Sequence, residues 1–230
     1  AVFVIILLQA PTMHDLFYES SKVHILNLQQ YKTPYLDLYM QSFSFLGSGD
    51  PYFYIIICIW ASGSGTKKVR VCMRPTFLDL HLLVANSSQF VEIVYTKSRP
   101  YLDDMRLGDI EMQDCSAEFG NPSGHSLNAM GMLLPMLWYY TDLYKPFFDK
   151  NKALLCLANA LSSLVIASIV YSRVYTGRHS FDQCLNGLML GTGTAISSTT
   201  IGDLMSLTKK SKLDQIIIHK LEITLCCLSV

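Results

Sequence analysis

Long apolar segments constrain the fold of this 230-residue chain more than any other feature of its sequence. A helix that crosses a lipid bilayer needs about 20 mainly apolar residues. Charged residues make up only 16% of the chain, whereas they make up about 25% of a typical soluble domain. The sequence therefore predicts an all-α, polytopic membrane helical bundle. Its four strong candidate spans are residues 76–97, 127–144, 153–172 and 181–205.

Weaker apolar segments raise the predicted number of spans to about six. They are residues 52–61 and the two ends of the chain, 1–10 and 213–230. Residues 11–34 are more polar and are predicted to form a loop. Because no repeat or linker divides the sequence, we expect one domain over residues 1–230 with its core at 76–205. The first residue is not methionine, so we also expect the sequence to be a fragment.

A soluble all-helical protein is the alternative fold, because polar residues interrupt the candidate spans. Asp79, His81 and Glu92 all lie within the first strong span. Polar residues inside a span usually face the bundle interior or a wet cavity. The interruptions are therefore compatible with a membrane protein, which remains the preferred interpretation.

Basic residues are distributed unevenly between the segments that connect the spans. Lysine and arginine cluster in the links 63–75 and 145–152 and in the stretch 209–212, whereas the loop 98–122 contains two arginines and six acidic residues. Basic residues favour the cytoplasmic side of a membrane. We therefore expect a multi-pass integral membrane protein whose loop 98–122 faces the lumen or the exterior.

Four basic side chains stand at the ends of apolar segments on this same side. Arg99 follows the first strong span, and His125 lies in an Asn-Pro-Ser-Gly-His sequence before the second. Arg173 ends the third span and His179 precedes the fourth. Because successive spans cross the membrane in opposite directions, all four residues should lie at one membrane face and could converge on a single pocket.

The residue types in these clusters suit the binding and attack of a phosphoryl group. A guanidinium group such as that of Arg99 or Arg173 can donate two parallel hydrogen bonds to phosphate oxygens. Ser123 and Gly124 leave backbone N–H groups free at a helix start, which favours an anion. Two histidines can divide the chemistry between a nucleophile and a proton donor. Each residue alone could instead be an interfacial anchor, but the combined order and spacing favour a site.

The motifs Ser98-Arg99-Pro100, Pro122-Ser123-Gly124-His125 and Ser172-Arg173-x5-His179 resemble those of the type 2 phosphatidic acid phosphatase superfamily. The resemblance extends over about residues 76–205 and implies a membrane phosphatase that acts on a phosphorylated lipid or small phosphomonoester. It implies that His179 attacks phosphorus to form a phosphohistidine and that His125 protonates the leaving alkoxide. Arg99, Arg173, Ser123 and Gly124 would hold the phosphate. No metal, cofactor or nucleic-acid partner is implied.

Two positions depart from the pattern of that superfamily. Glu92 stands where a lysine is expected seven residues before Arg99, and a carboxylate there would repel a phosphate; Lys97 could replace the missing cation. Gln183 stands where an aspartate is usual, four residues after His179. Asp182 lies on the same helix face as His179, so it could orient the imidazole.

These departures support an alternative function for the chain. A catalytically silent relative could serve as a structural or lipid-binding subunit of a membrane complex. Restoring lysine at Glu92 distinguishes the two hypotheses, since a large gain in turnover would mark an impaired enzyme.

Overall fold

The computed structural model describes residues 2–52, 54, 92–93, 96–107 and 119–208. Every regular element within these residues is helical. The N-terminal part forms α1 (Val2–Gln29) and α2 (Pro34–Gly47). After the short helix α3 (Pro100–Asp103) and a 3-10 turn (Met105–Leu107), the chain forms α4 (Gly124–Asn128), a π-helical turn (Ala129–Leu133) and α5 (Leu134–Leu143). The last elements are α6 (Lys145–Lys150), α7 (Lys152–Tyr175) and α8 (Phe181–Thr208).

The structure corrects the predicted loop at residues 11–34, because α1 continues as a helix to Gln29. Its polar side chains find partners at the start of α8, which explains why a polar composition does not interrupt the helix. Ser21 Oγ accepts a hydrogen bond from the Phe181 N–H at 3.0 Å, and His14 pairs with Asp182. Tertiary contacts of this kind commonly outweigh local propensity.

Within the described residues, α7 is the one helix whose length and apolar composition suffice to cross a membrane. Four leucines on it, each between 42% and 60% exposed, recur at helical spacing as Leu154, Leu157, Leu161 and Leu164. Residues three or four apart lie on one helix face. This leucine stripe is therefore an outward apolar face, whereas the last two turns of α7, from Ser168 to Tyr175, are mostly buried.

Several of the predicted spans fall only partly within the described residues. The segments at 127–144 and 181–205 correspond to α4–α5 and α8. Most of the segments at 52–61 and 76–97, and all of 213–230, lie outside the described residues, and so the predicted number of about six spans stays a prediction.

Close packing between α8 and α4 depends on two glycines four residues apart on α8. A Cβ atom on Gly187 would lie 2.5 Å from the Ser123 carbonyl oxygen, and one on Gly191 would lie 2.5 Å from the Leu127 carbonyl oxygen. Real Cβ atoms do not approach backbone so closely, so only glycine fits at either position. These glycines bring the start of α4 against α8 and place the two halves of the site side by side.

Candidate active site

His179 lies between α7 and α8, in a turn that requires glycine. Gly177 has a φ angle of 69°, a left-handed conformation that other residues rarely adopt. Beyond this turn the N–H groups of Arg178 and His179 both donate to the Arg173 carbonyl oxygen, at 3.1 and 3.3 Å. The nucleophile candidate His179 is thereby fixed to the last turn of α7, which also carries Arg173.

The His179 ring has one defined hydrogen-bond partner. Its Nδ1 lies 2.8 Å from the Gly120 carbonyl oxygen. A carbonyl oxygen can only accept, so Nδ1 must carry the proton and Nε2 must carry the lone pair. Burial, followed by the charges of Arg173 and Arg99, holds the pKa of His179 well below its usual value. The ring is therefore neutral, with a nucleophilic nitrogen at Nε2.

His125 occupies the first turn of α4, at a positively polarised helix end. Burial, and then the charges of Arg173, Arg178 and Arg99, lower its pKa to about 2. Arg173 and Arg99 also lower the pKa of His179, so both histidines lie near these two arginines. His125 is therefore neutral as well.

Arg173 and Arg99 are nearly completely buried, with 2% and 5% of their surface exposed. Arg173 Nη1 donates to Ser44 Oγ at 2.6 Å, and its Nε has no hydrogen-bond partner among the described residues. Arg99 is the residue immediately before α3. Burying a cation is costly unless it meets opposite charge or hydrogen-bond acceptors, so the position suits a ligand of negative charge.

Ser123 and Gly124 form the start of α4. The expectation that both backbone N–H groups are free is wrong for Ser123, because its N–H donates to the Gln183 carbonyl oxygen at 3.0 Å. Ser123 caps the helix, since its Oγ accepts from the Ser126 N–H at 3.5 Å and from the Ser126 hydroxyl at 3.1 Å. A Cβ atom added to Gly124 would meet no atom of the described residues within 4 Å. This helix end is thus ordered by its cap, and the space beside Gly124 is open.

Asp182 is the predicted site residue that the structure does not place on His179. It is completely buried, and its Oδ2 lies 2.9 Å from His14 Nδ1. The Nδ1 position of His179, which an orienting carboxylate would occupy, is taken by the Gly120 carbonyl oxygen. Asp182 therefore ties α1 to the start of α8, next to the site.

Glu92 is one of the two departures from the superfamily pattern, and Lys97 is the residue that could replace the missing cation. Glu92 is half-buried, and the Lys97 carbonyl oxygen accepts from the Gly120 N–H at 2.7 Å. Their effect on phosphate binding stays a prediction.

Four residues that contact Arg173, Asp182 or the two histidines of the site were not identified from the sequence. His14 and Ser44 lie more than 100 positions from their partners, which are Asp182 and Arg173. No local sequence pattern predicts contacts over such a distance along the chain. Gly47 packs against the His125 ring, since a Cβ atom there would lie 3.2 Å from His125 Cδ2. Gly120 contributes through its carbonyl group, which every residue type carries.

The described residues were compared with the side-chain groups that hold metal ions in proteins. No group of three or more histidine, cysteine, aspartate or glutamate side chains among the described residues could hold a metal ion. The site as described consists of two neutral imidazoles, two buried guanidinium groups and a capped helix start. Such a set of groups is suited to binding and attacking a phosphoryl group.

The fold and the sequence of this chain are similar to those of known phosphatases. In the structural comparison, the fold is similar to the crystal structure of a transmembrane PAP2 type phosphatidylglycerolphosphate phosphatase from Bacillus subtilis. The TM-score is 0.68 at 20% identity, over 91% of this chain and 97% of the other. In sequence, the chain is 24% identical over 169 residues to lipid phosphate phosphatase delta of Arabidopsis thaliana. That match covers 73% of this chain and 38% of the length of the relative.

A family model supplies the assignment. The model of the PAP2 superfamily matches residues 52–203, which is more than half of the chain and includes every motif of the site. The resemblance predicted from the three motifs is thereby confirmed, and the chain belongs to the PAP2 superfamily.

Proposed function

We propose that this chain is a metal-independent membrane phosphatase that hydrolyses a phosphomonoester, with a lipid phosphate as its substrate. The observation that carries the proposal is the state of His179. Its Nδ1–H is held by the Gly120 carbonyl oxygen, which leaves the Nε2 lone pair available next to two buried arginines. A neutral histidine with a fixed tautomer is what nucleophilic attack on phosphorus requires.

The first step transfers the phosphoryl group to the enzyme. His179 Nε2 forms a bond to phosphorus while the bond between phosphorus and the alkoxide oxygen breaks. Protonated His125 gives its proton to that oxygen, so the alcohol leaves neutral. Arg99, Arg173 and the Gly124 N–H stabilise the charge on the three phosphoryl oxygens.

The second step returns the enzyme to its starting state. A water molecule attacks the phosphorus of the phosphohistidine, and neutral His125 takes a proton from it. The bond between phosphorus and Nε2 breaks, inorganic phosphate leaves, and His179 regains its lone pair. No oxidant, metal or cofactor enters this cycle.

Substrate binding must raise the proton affinity of His125 for this cycle to run. Without an anion, burial and three nearby arginines keep its pKa at about 2. A phosphomonoester dianion brings two negative charges among these cations, and an opposite charge within a few ångströms favours the protonated imidazole. Binding of the dianion would therefore bring with it the proton that His125 donates in the first step.

A lipid is favoured as the substrate by the position of the site on α7. The leucine stripe covers the outer face of this helix, and Arg173 lies in its last turn. An apolar face of this kind suits lipid chains, so the site would lie at the level of phospholipid headgroups. We propose that this end faces the lumen or the exterior, as the distribution of basic residues predicts.

The test is phosphate release by the purified protein in detergent micelles. Phosphatidate, sphingosine phosphate, phosphatidylglycerolphosphate and glucose 6-phosphate are compared as substrates, with His179→Ala as the inactive variant. His24→Gln is the matched control, because His24 lies on α1 beside Tyr171 and outside the cluster. Release from the lipids that is lost only in His179→Ala supports the proposal.

A second outcome would favour the silent relative. If no substrate releases phosphate, and Glu92→Lys does not restore release, the chain is a structural or lipid-binding subunit of a membrane complex rather than an enzyme. Trapping of a phosphoryl group that is absent from His179→Ala separates the phosphohistidine route from direct attack by water.

A further inference from the structure

The Gln183 side chain joins the two segments that carry the arginine and the nucleophile. Its amide Nε2 donates to the Ser98 carbonyl oxygen at 2.8 Å, and its Oε1 accepts from the Ser180 N–H at 3.2 Å. Ser98 directly precedes Arg99, and Ser180 directly follows His179. Gln183 is completely buried, so water cannot replace either hydrogen bond.

The same amide lies against the backbone that orients His179. A Cβ atom on Gly120 would lie 2.7 Å from Gln183 Nε2 and 2.9 Å from Gln183 Oε1. The Gly120 carbonyl oxygen is the acceptor for His179 Nδ1. In addition, the Gln183 backbone carbonyl oxygen accepts from the Ser123 N–H at 3.0 Å. Gln183 thus contacts all three motif segments.

We propose that Gln183 is a positioning residue for the phosphatase reaction: its side-chain amide fixes the distance between His179 and Arg99 by bonding the backbone next to each. The proposal rests on the proposed function for its catalytic meaning. The bridge itself depends only on the two hydrogen bonds of the Gln183 amide, which donates to Ser98 and accepts from Ser180.

An amide is the group that this bridge requires. Ser180 and Gln183 have the spacing of a capping box, in which a glutamate or glutamine at the third helical position accepts from the N–H of the capping residue. Glutamate would keep that bond. A carboxylate has no proton to donate, however, so it would face the Ser98 carbonyl oxygen as a second acceptor. Gln183→Glu therefore removes the bridge and spares the cap.

The experiment compares Gln183→Glu with wild type and with Asn186→Asp in detergent. Asn186 is a matched control because it is another buried amide on α8, one turn later, and it donates to Asn121 Oδ1 at 3.1 Å. Both variants bury a carboxyl group on the same helix. Only Gln183→Glu should lower kcat, by roughly 10- to 100-fold with little change in KM, because misplacing a reacting group costs rate.

The pH dependence gives a readout that a purely structural role would not change. A protonated carboxyl group can donate to the Ser98 carbonyl oxygen as the amide does. The ratio of Gln183→Glu activity to wild-type activity should therefore rise as pH falls, and the difference between their Tm values should shrink. Titration of His179, His125 and the substrate is common to both proteins and cancels in the ratio.

Two results would overturn the proposal. One is wild-type kcat in Gln183→Glu at neutral pH, and the other is a loss that equals that of Asn186→Asp and does not respond to pH. If wild type hydrolyses nothing, the proposed function fails separately, and the bridge is then judged on orthovanadate binding. Gln183→Glu should weaken that binding by a similar factor, and unchanged affinity refutes the positioning role.

Discussion

Replacing Gly120 with alanine tests how closely the motif segments pack. The added Cβ atom would lie 2.7 Å from Gln183 Nε2 and 2.8 Å from the Ser98 carbonyl oxygen. The first atom belongs to a buried side-chain amide that makes two hydrogen bonds, and the second belongs to the backbone. Moving either of them would therefore cost considerable free energy. The segment around residue 120 must shift instead, and its carbonyl group would move away from His179 Nδ1.

The size of the effect follows from this overlap. Overpacking of a filled site costs about 1–3 kcal/mol, which for a chain of this size lowers Tm by roughly 2–12 °C. A shift of about 1 Å at the histidine costs roughly 100-fold in rate. We therefore expect Gly120→Ala to lose activity by a larger factor than its modest loss of stability would suggest.

The assay is thermal unfolding in detergent together with phosphate release from a lipid phosphate. Gly124→Ala is the matched control for stability, since a Cβ atom there would lie more than 4 Å from the part of the chain that the structure describes. Its Tm should equal or slightly exceed that of wild type, because alanine favours a helix more than glycine does. Wild-type Tm and activity in Gly120→Ala would refute the reasoning.

Three further predictions concern pH, phosphate binding and the docking of α1. Folding lowers the pKa of His125 below its value in the unfolded chain. The contribution of His125 to stability is therefore complete above about pH 6.5 and is lost as pH falls, by at most about 1.4 kcal/mol per pH unit. Between pH 7 and pH 5 the Tm of His125→Gln should fall less steeply than that of wild type, and equal slopes would contradict this. Arg173→Lys loses the planar pair of donors and should reduce kcat/KM by roughly 10- to 100-fold. Arg106→Lys is the control, because Arg106 forms an exposed ion pair with Asp104, and its kcat/KM should match that of wild type. Similar losses in both variants would refute a phosphate-binding role for Arg173. His14→Ala leaves the buried Asp182 Oδ2 without its hydrogen-bond partner and should cost about 1–3 kcal/mol. The loss is read as a fall in Tm, and Asp182→Asn in the same chain should relieve part of it. Additive losses would show that the two residues do not interact.

The order of the motifs along the chain predicted the family, and local patterns predicted part of the geometry. Ser123 lies at a helix start after proline, as its sequence suggests, and it caps α4. The G-x-x-x-G spacing of Gly187 and Gly191 is typical of close helix packing, and both glycines lie against the backbone of α4 and its cap. Patterns of this kind can be read from sequence because the interacting group is a side chain, or the lack of one, at a fixed spacing.

The remaining contacts could not be predicted, for two physical reasons. The hydrogen bond from His179 goes to a backbone carbonyl at Gly120, and a carbonyl group has no residue identity to recognise. The pair of His14 with Asp182 joins residues 168 positions apart, so it depends on how α1 docks rather than on any local pattern. The polar side chains of α1 suggested a loop for the same reason, since their partners belong to another part of the chain.

The open space beside Gly124 separates the size of the substrate from the stability of the protein. At Gly47, Gly120, Gly187 and Gly191 the neighbouring atoms leave no room for a methyl group, and so these positions are fixed by packing. At Gly124 no atom of the described residues lies within 4 Å of an added Cβ atom. If the proposed function holds, residue 124 is a position at which selectivity can be engineered, because a larger side chain there would reduce the room for the substrate without a clash against the described helices.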